Sequence, residues 1–259
     1  MIKEILLYKG KVKIEFDCGT PEKPKHIYKV FDKKGEYHIP VSVTGATGII
    51  NKPALIPWAV GLMRDDLLEV LSRAPQELTK ERIIQAANLH NQRKKEAADA
   101  GSLIHEWVEL HIKGMNPAMP EDTNVLNGVL AYLKWVEEYK PKFIASEKIV
   151  YSIKHDFVGL LDLQFTLGKE KHRILHLGDV KSGGVYDEAF MQCAAYQGAD
   201  EEESGREYGD KYLLRFDRKT GEFSHRVSGN QKKDYKAFLG CLEVKRRLKE
   251  LKENGKNGK

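Results

Sequence analysis

Gly159-Leu160-Leu161-Asp162, Gly178-Asp179-Val180-Lys181-Ser182-Gly183 and Gln192-Cys193-Ala194-Ala195-Tyr196 follow one another in one stretch of the chain, and their reading decides the fold. Asp162 reads as an acid near a strand start. From Arg173 to Lys181 the pattern suits a strand, with Leu175 and Leu177 on the same face as Asp179 and Lys181 and Val180 turned away, because successive strand side chains alternate. One rigid element then delivers a carboxylate and an ammonium to one spot. Gln192 and Tyr196 stand four apart and share a face of a helix. A short turn at Gly168-Lys169-Glu170-Lys171 would join the strand of Asp162 to that of Asp179.

Working outward, Phe143 to Tyr151 and residues 157–167 read as strands before the central one. A helix over about 187–199 follows, then an acidic loop at Asp200 to Glu203. Lys211 to Phe216 and Glu222 to Val227 are strands joined by a turn at Lys219-Thr220-Gly221, and a last helix runs from about Gln231 to Lys252. Upstream, residues 2–50 read as short strands, Val12 to Phe16, Ile27 to Phe31 and Tyr37 to Val43. Pro53 and Pro57 bracket a helix start, and residues 54–71 carry helical apolar spacing. Thr79 is placed to cap the next helix, with Arg82 where a capping box would have Glu, and the helical pattern runs on to about Lys113. A further helix covers about 124–139 and stops before Pro141. Trp58, Trp107 and Trp135 take apolar helical positions and are expected in the core; His111 and Glu109 are expected on a helix surface, and Cys193 among packed alanines.

This order predicts an α/β (α+β mixed) fold: a central mixed sheet flanked by helices, with an inserted N-terminal helical lobe. The expected organisation is a β segment over 1–52, a helical lobe over 53–140, the core and C-terminal helix over 141–252, and a disordered tail over 253–259.

Composition narrows the function classes. The apolar fraction of 41% can build a core, and no stretch approaches the roughly 20 apolar residues of a membrane span. The opening Met1-Ile2-Lys3-Glu4-Ile5-Leu6-Leu7 has too short an apolar run for a secretory signal. Three scattered cysteines, Cys18, Cys193 and Cys241, with no C-x-x-C pair, suit a reducing compartment, so a cytoplasmic protein is expected. The formal charge is +5, and residues 229–259 carry ten Lys/Arg against four Asp/Glu, so the basic excess lies at the C-terminal end. A solvated helix and a nucleic-acid contact both fit that excess.

Two carboxylates with a lysine are a recurring solution for phosphodiester hydrolysis. Hard divalent cations take oxygen ligands, neutralise phosphate and acidify a bound water. By residue type, Asp162 and Asp179 are candidate ligands and Lys181 the candidate that positions water.

Gly159-x-x-Asp162, Asp179-x-Lys181 and Gln192-x-x-x-Tyr196, in that order, resemble the PD-(D/E)XK nuclease superfamily in its RecB-like branch. Gly101-Ser102-Leu103-Ile104-His105 resembles the histidine motif that this branch carries on an upstream helix. The match spans about residues 95–196, and Ser42 through Ala54 also looks like the amino-terminal part of phage-type RecB-like exonucleases. The resemblance implies a restriction-endonuclease-like core. It implies His105, Asp162, Asp179 and the carbonyl of Val180 as metal ligands, Lys181 as the catalytic lysine, and Gln192 and Tyr196 beside it, orienting the lysine or gripping DNA. Glu147 matches an acid often found one strand earlier and is held as an accessory. The implied cofactor is Mg2+ or Mn2+, one or two ions. Three cysteines cannot supply the four thiolates of the iron–sulfur cluster found in some members, and no G-x-x-x-x-G-K-[ST] is present for ATP.

The activity implied is a DNA exonuclease acting on free ends and preferring single strands, in replication, recombination or repair, in a bacterial or phage-infected cell. A recombination or replication protein would be its partner, and no membrane is involved. A structure-specific endonuclease acting on flap or branched DNA and a non-cleaving nucleic-acid-binding module are the alternatives. The basic run Arg93-Lys94-Lys95, upstream of His105, is placed either to meet an incoming DNA backbone or simply to be solvated.

Overall fold

The computed structural model describes residues 2–20, 23–168 and 174–257. The expected turn at residues 168–171 and the start of its strand at Arg173 fall largely outside the described residues. So does the end of the chain, residues 258–259.

Ile2–Leu7 (β1), Val12–Thr20 (β2), Lys23–Phe31 (β3) and Tyr37–His38 (β4) form an antiparallel sheet in chain order. The expected strand Tyr37 to Val43 is broken. Pro40 has no N–H to give a ladder. Val41–Ser42 (β5) then makes a two-residue parallel pairing elsewhere. Ser42 Oγ accepts the N–H of Gly45 at 3.1 Å, so the chain turns into the short helix Val43–Thr47 (α1).

Leu55–Arg73 (α2) and Lys80–Ile112 (α3) pack as neighbours. Thr79 Oγ1 caps Arg82 N at 3.2 Å, as its position predicts. Thr123–Tyr139 (α4) is capped by Asp122, whose Oδ1 accepts from Asn124 and Val125. No residue of α2 is buried, and Trp58 is 38% exposed rather than in the core: this helix rests on α3 along one side and faces solvent on the others. Trp107 and Trp135 are buried as expected. His111 and Glu109 are half-buried rather than on the surface: His111 stacks on Trp107 and meets the Tyr132 hydroxyl at 3.0 Å, and Glu109 holds Lys113.

The second sheet contains Lys142–Ser152 (β6), Phe157–Thr166 (β7), Leu175–Lys181 (β8), Tyr208–Phe216 (β9) and Phe223–Ser228 (β10), with β5 as its sixth member. The order is β10-β9-β8-β7-β5, and β6 pairs with β7. The β8–β9 and β5–β7 pairings are parallel and the others antiparallel, so the sheet is mixed. Glu188–Ser204 (α5), Gln231–Asn257 (α6) and α1 cover one face; α4 and the second half of α3 cover the other. The first sheet packs Ile14, Phe16, Tyr28 and Val30 onto Ile149, Tyr151 and Val158. The predicted class is the one observed: a mixed sheet flanked by helices, with a helical segment between the N-terminal strands and the core.

Two boundaries differ from expectation. The acidic run at Asp200 to Glu203 is not a loop but the last turn of α5. Asp200 is fully buried and takes the ammonium of Lys148 and the hydroxyl of Tyr208, and Gly205, at φ +68, ends the helix. α6 continues to Asn257, past the expected end at Lys252 and into the segment expected to be disordered. No helix among the described residues is long and apolar enough to cross a membrane.

Candidate active site

The β7–β8 ladder ends at Leu163↔Gly178, and the next residues on the two strands are Asp162 and Asp179. β8 stays paired to β9 as far as Lys181↔Arg215, while β7 parts from β8 and is joined further along by β5 at Phe157 and Val158. Residues 159–162 of β7 therefore border a gap. Asp162 lies inside its strand, not near the start, and its Oδ2 closes the first step of the gap by accepting the Val180 N–H at 2.6 Å.

On the other side of β7, Ser146 pairs with Leu163 and Lys148 with Leu161, so Glu147 stands opposite Asp162. Glu147 has φ +48, a left-handed conformation that costs a residue with a Cβ on the order of 1 kcal/mol or more. The alternation of faces slips here as well. Leu161 packs in the core under α5, yet Leu163, two residues on, packs in the core under α4. Such irregularities re-aim side chains, and this one turns Glu147 and Asp162 toward α3.

α3 brings His105. Ile104, Trp107 and Val108 are buried against α4, which fixes the helix and leaves His105 at the sheet. Two glycines allow the close approach: a Cβ on Gly128 would lie 2.2 Å from Ile104 Cδ1, and one on Gly101 would lie 3.1 Å from Ser182 Oγ. His105 Nδ1 is 3.1 Å from Glu147 Oε1 and 3.9 Å from Asp162 Oδ1. Donor atoms of His105, Glu147 and Asp162 all lie within 4.8 Å of one another.

Asp179 and Lys181 share the face that period two predicts. The Lys181 ammonium is 2.5 Å from Asp179 Oδ2, an ion pair inside the cavity. Gln192 donates to Thr47 Oγ1 at 2.7 Å instead of to the lysine. The Tyr196 ring is buried against Gly159, where a Cβ would lie 2.4 Å from its Cε1. His105, Glu147, Gly159, Asp162, Asp179, Lys181, Gln192 and Tyr196, with Val180, line one cavity of about 660 Å³. Arg93 to Lys95 are exposed and lie just outside it; α3 begins to line it at Ala97.

Burial pushes the carboxyl of Asp179 up to about 6, and the charge of Asp162 adds to this against the opposing pull of Lys181. Asp162 is raised, first by burial and then by Glu147, against His105 and Lys181. Burial alone would lower His105, but the Asp162 charge and the Glu147 hydrogen bond outweigh it and lift the imidazole to about 9. Lys181 likewise rises above the usual ammonium range because Asp179 and Asp162 outweigh its burial. Asp162 and Asp179 are held short of easy ionisation, chiefly by burial, and His105 and Lys181 are held protonated by the acids beside them. Two carboxylates and an imidazole at one point, with the Asp179 carboxylate in the same cavity, fit a divalent cation; the imidazole suits Mn2+ better than Mg2+.

Two residues stand out beyond the expected ligands. Glu147, expected only as an accessory, lies with His105 and Asp162 in a group that could hold a metal ion, and Ala145-Ser146-Glu147 on the preceding strand is its signal in the sequence. Arg218, in the turn between β9 and β10, lines the cavity and has no motif to announce it.

The chain matches no protein-family model and no curated protein. Among solved structures it is similar to an alkaline exonuclease (LHK-Exo) from Laribacter hongkongensis, with TM-score 0.27 and 11% identity over 50% of this chain and 70% of that one. A likeness of that size carries no argument about activity, which rests on the site itself.

Proposed function

We propose that this protein is a divalent-metal-dependent deoxyribonuclease of the PD-(D/E)XK type that shortens DNA from free ends and prefers single strands. The observation that carries the reading is the convergence of His105, Glu147 and Asp162 within 4.8 Å of one another, in the same cavity as the Asp179–Lys181 pair.

His105, Glu147 and Asp162 would hold the ion, with Asp179 and the carbonyl of Val180 as further ligands. A bound Mg2+ or Mn2+ supplies neutralising charge and a water acidic enough to be deprotonated near neutral pH. Glu147 also holds His105 by its Nδ1, fixing the ring's orientation. The Val180 N–H holds Asp162, so the carboxylate keeps its aim when substrate enters. The Lys181 ammonium lies beside these acids, where it holds the attacking water by hydrogen bonding and offsets charge developing on the phosphate. Tyr196 and Gln192 wall the cavity, and the Gln192–Thr47 contact ties α5 to α1 there.

α3 walls the cavity from Ala97 to Glu109, and Gly101 brings it against Ser182. A helix in that place favours entry of one strand over a duplex. The test is a time course with end-labelled linear single-stranded DNA and a closed circle of the same sequence, in Mg2+, Mn2+ and EDTA. The linear strand is expected to shorten progressively with either metal and the circle to persist. Rapid nicking of the circle refutes end dependence, and absence of metal-dependent cleavage refutes the nuclease reading.

A further inference from the structure

Arg218 is a feature of the cavity that the group of His105, Glu147 and Asp162 leaves unexplained. Most arginines among the described residues sit on a carboxylate, Arg215 of the same hairpin included, at 2.6 Å from Asp217. Arg218 is half-buried, lines a cavity that also contains the carboxylates of Glu106, Glu109, Glu147, Asp162 and Asp179, and has none of them within 4.0 Å. A partly desolvated guanidinium with no anion is costly to hold. The turn that carries it is nevertheless firmly held. Asn127 of α4 donates to the carbonyls of Arg218 and Lys219 at 3.1 Å each, and Lys134 donates to that of Gly221 at 3.0 Å. Asp217 caps Lys219 N at 2.8 Å and its own backbone closes the turn with Glu222 and Gly221.

The guanidinium is directed at the end of β8. A Cβ on Gly183 would lie 3.3 Å from Arg218 Nη1, so the absence of a side chain there leaves room for the group. Ser182, between Lys181 and Gly183, has a hydroxyl without a hydrogen-bond partner among the described residues, and it also lines the cavity. Two residues of chain span at most about 7 Å, so Arg218 stands close beyond Lys181. A planar five-donor fork and a free hydroxyl next to a phosphodiester-cleaving centre match the non-bridging oxygens of a phosphate.

We propose that Arg218 and Ser182 form a phosphate subsite that grips the backbone phosphate flanking the scissile bond. The inference rests on the nuclease reading for the identity of its ligand as a nucleic-acid backbone. Because the contact is with phosphate, it confers affinity and register and no base preference.

The test measures binding alone, with Ca2+ in place of Mg2+ and a short fluorescent single-stranded oligonucleotide in an anisotropy titration. Arg218→Ala is expected to weaken binding by about 10- to 100-fold, as loss of a charge-assisted contact does. The slope of log K against log salt should fall by about 0.7 for one phosphate. Arg218→Lys, which keeps the charge and loses the fork, should keep the slope and recover part of the affinity. A neutral methylphosphonate walked along the oligonucleotide should find one linkage at which wild type drops to the affinity of Arg218→Ala and the variant drops no further. The Mn2+ titration of Arg218→Ala should match wild type. Unchanged affinity in Arg218→Ala, an unchanged salt slope, or no such linkage overturns the subsite. A protein that shows the Arg218-dependent linkage but cuts no DNA in Mg2+ or Mn2+ keeps the subsite and loses the nuclease reading.

Discussion

Gly128→Ala tests whether the α3–α4 contact positions His105. The added Cβ would meet Ile104 Cδ1 at 2.2 Å and Cγ1 at 2.8 Å, both far inside van der Waals contact. Ile104 is fully buried and β-branched on a helix, so its side chain has little freedom to turn away. Overpacking of this kind costs about 1–3 kcal/mol, and the better helix propensity of alanine returns about 1 kcal/mol. A net loss of up to about 2 kcal/mol is expected, a fall in Tm of up to roughly 8 °C for a chain of this size. The strain falls on the residue next to His105, so α3 should move by a fraction of an ångström at the ligand cluster. Misplacement toward 1 Å lowers a rate by up to about 100-fold. Thermal melts, Mn2+ titration and cleavage of a linear strand read the three effects. Ile104→Val removes the nearest colliding atom at its own cost of about 0.5–1.5 kcal/mol, and the double variant should be more stable than the sum of the singles by about 1 kcal/mol. A Gly128→Ala protein as stable as wild type, with the same Mn2+ titration, refutes the reasoning.

Asp179→Ala and Lys181→Ala should each abolish cleavage with little change in melting or DNA binding; wild-type rates in either variant would remove the pair from the chemistry. Glu147→Gln and His105→Ala should each shift the Mn2+ titration to higher concentration, the first as strongly as the second, and an unshifted curve for Glu147→Gln would return Glu147 to an accessory role. The pH dependence follows from His105, whose folded-state value of about 9 lies above its usual 6.5. A raised value means that the protonated ring stabilises the metal-free fold. That contribution is complete below about pH 6.5 and is lost as pH rises through about 9. The Tm in EDTA should therefore fall over this window while Mn2+ affinity rises, since the ion displaces the proton; a Mn2+ affinity independent of pH between 6.5 and 9 would count against His105 as a ligand.

The parts of this site that could be read from sequence are those on regular elements. Asp179 and Lys181 sit on a strand with unbroken period two, and Leu177 and Val180 fall in opposite cores as alternation requires. His105 could be placed because Ile104, Trp107 and Val108 define the buried side of a long helix. Glu147 could not, because its aim depends on a left-handed φ and on a slip of alternation at Asp162, and no pattern of residue types encodes either one. The acidic end of α5 misled for a related reason. Composition predicts a loop, yet Asp200 points inward to Lys148 and Tyr208, so one buried pair extends the helix against its local polarity.

Arg218 marks the farther limit. Its position depends on Asn127 and Lys134 of α4 holding a turn that is remote in sequence, and the same helix packs Gly128 against Ile104. α4 therefore sets both walls of the cavity, the histidine on one side and the arginine on the other, without contributing a residue to the ligand cluster. A change in α4 should then separate the two sites by which side of the helix it touches. Asn127→Ala frees the turn and should weaken DNA binding while sparing the Mn2+ titration. Gly128→Ala, one residue on, should disturb the metal titration first. If both variants lower both readouts in the same proportion, α4 acts only as a general scaffold and the assignment of separate walls is wrong.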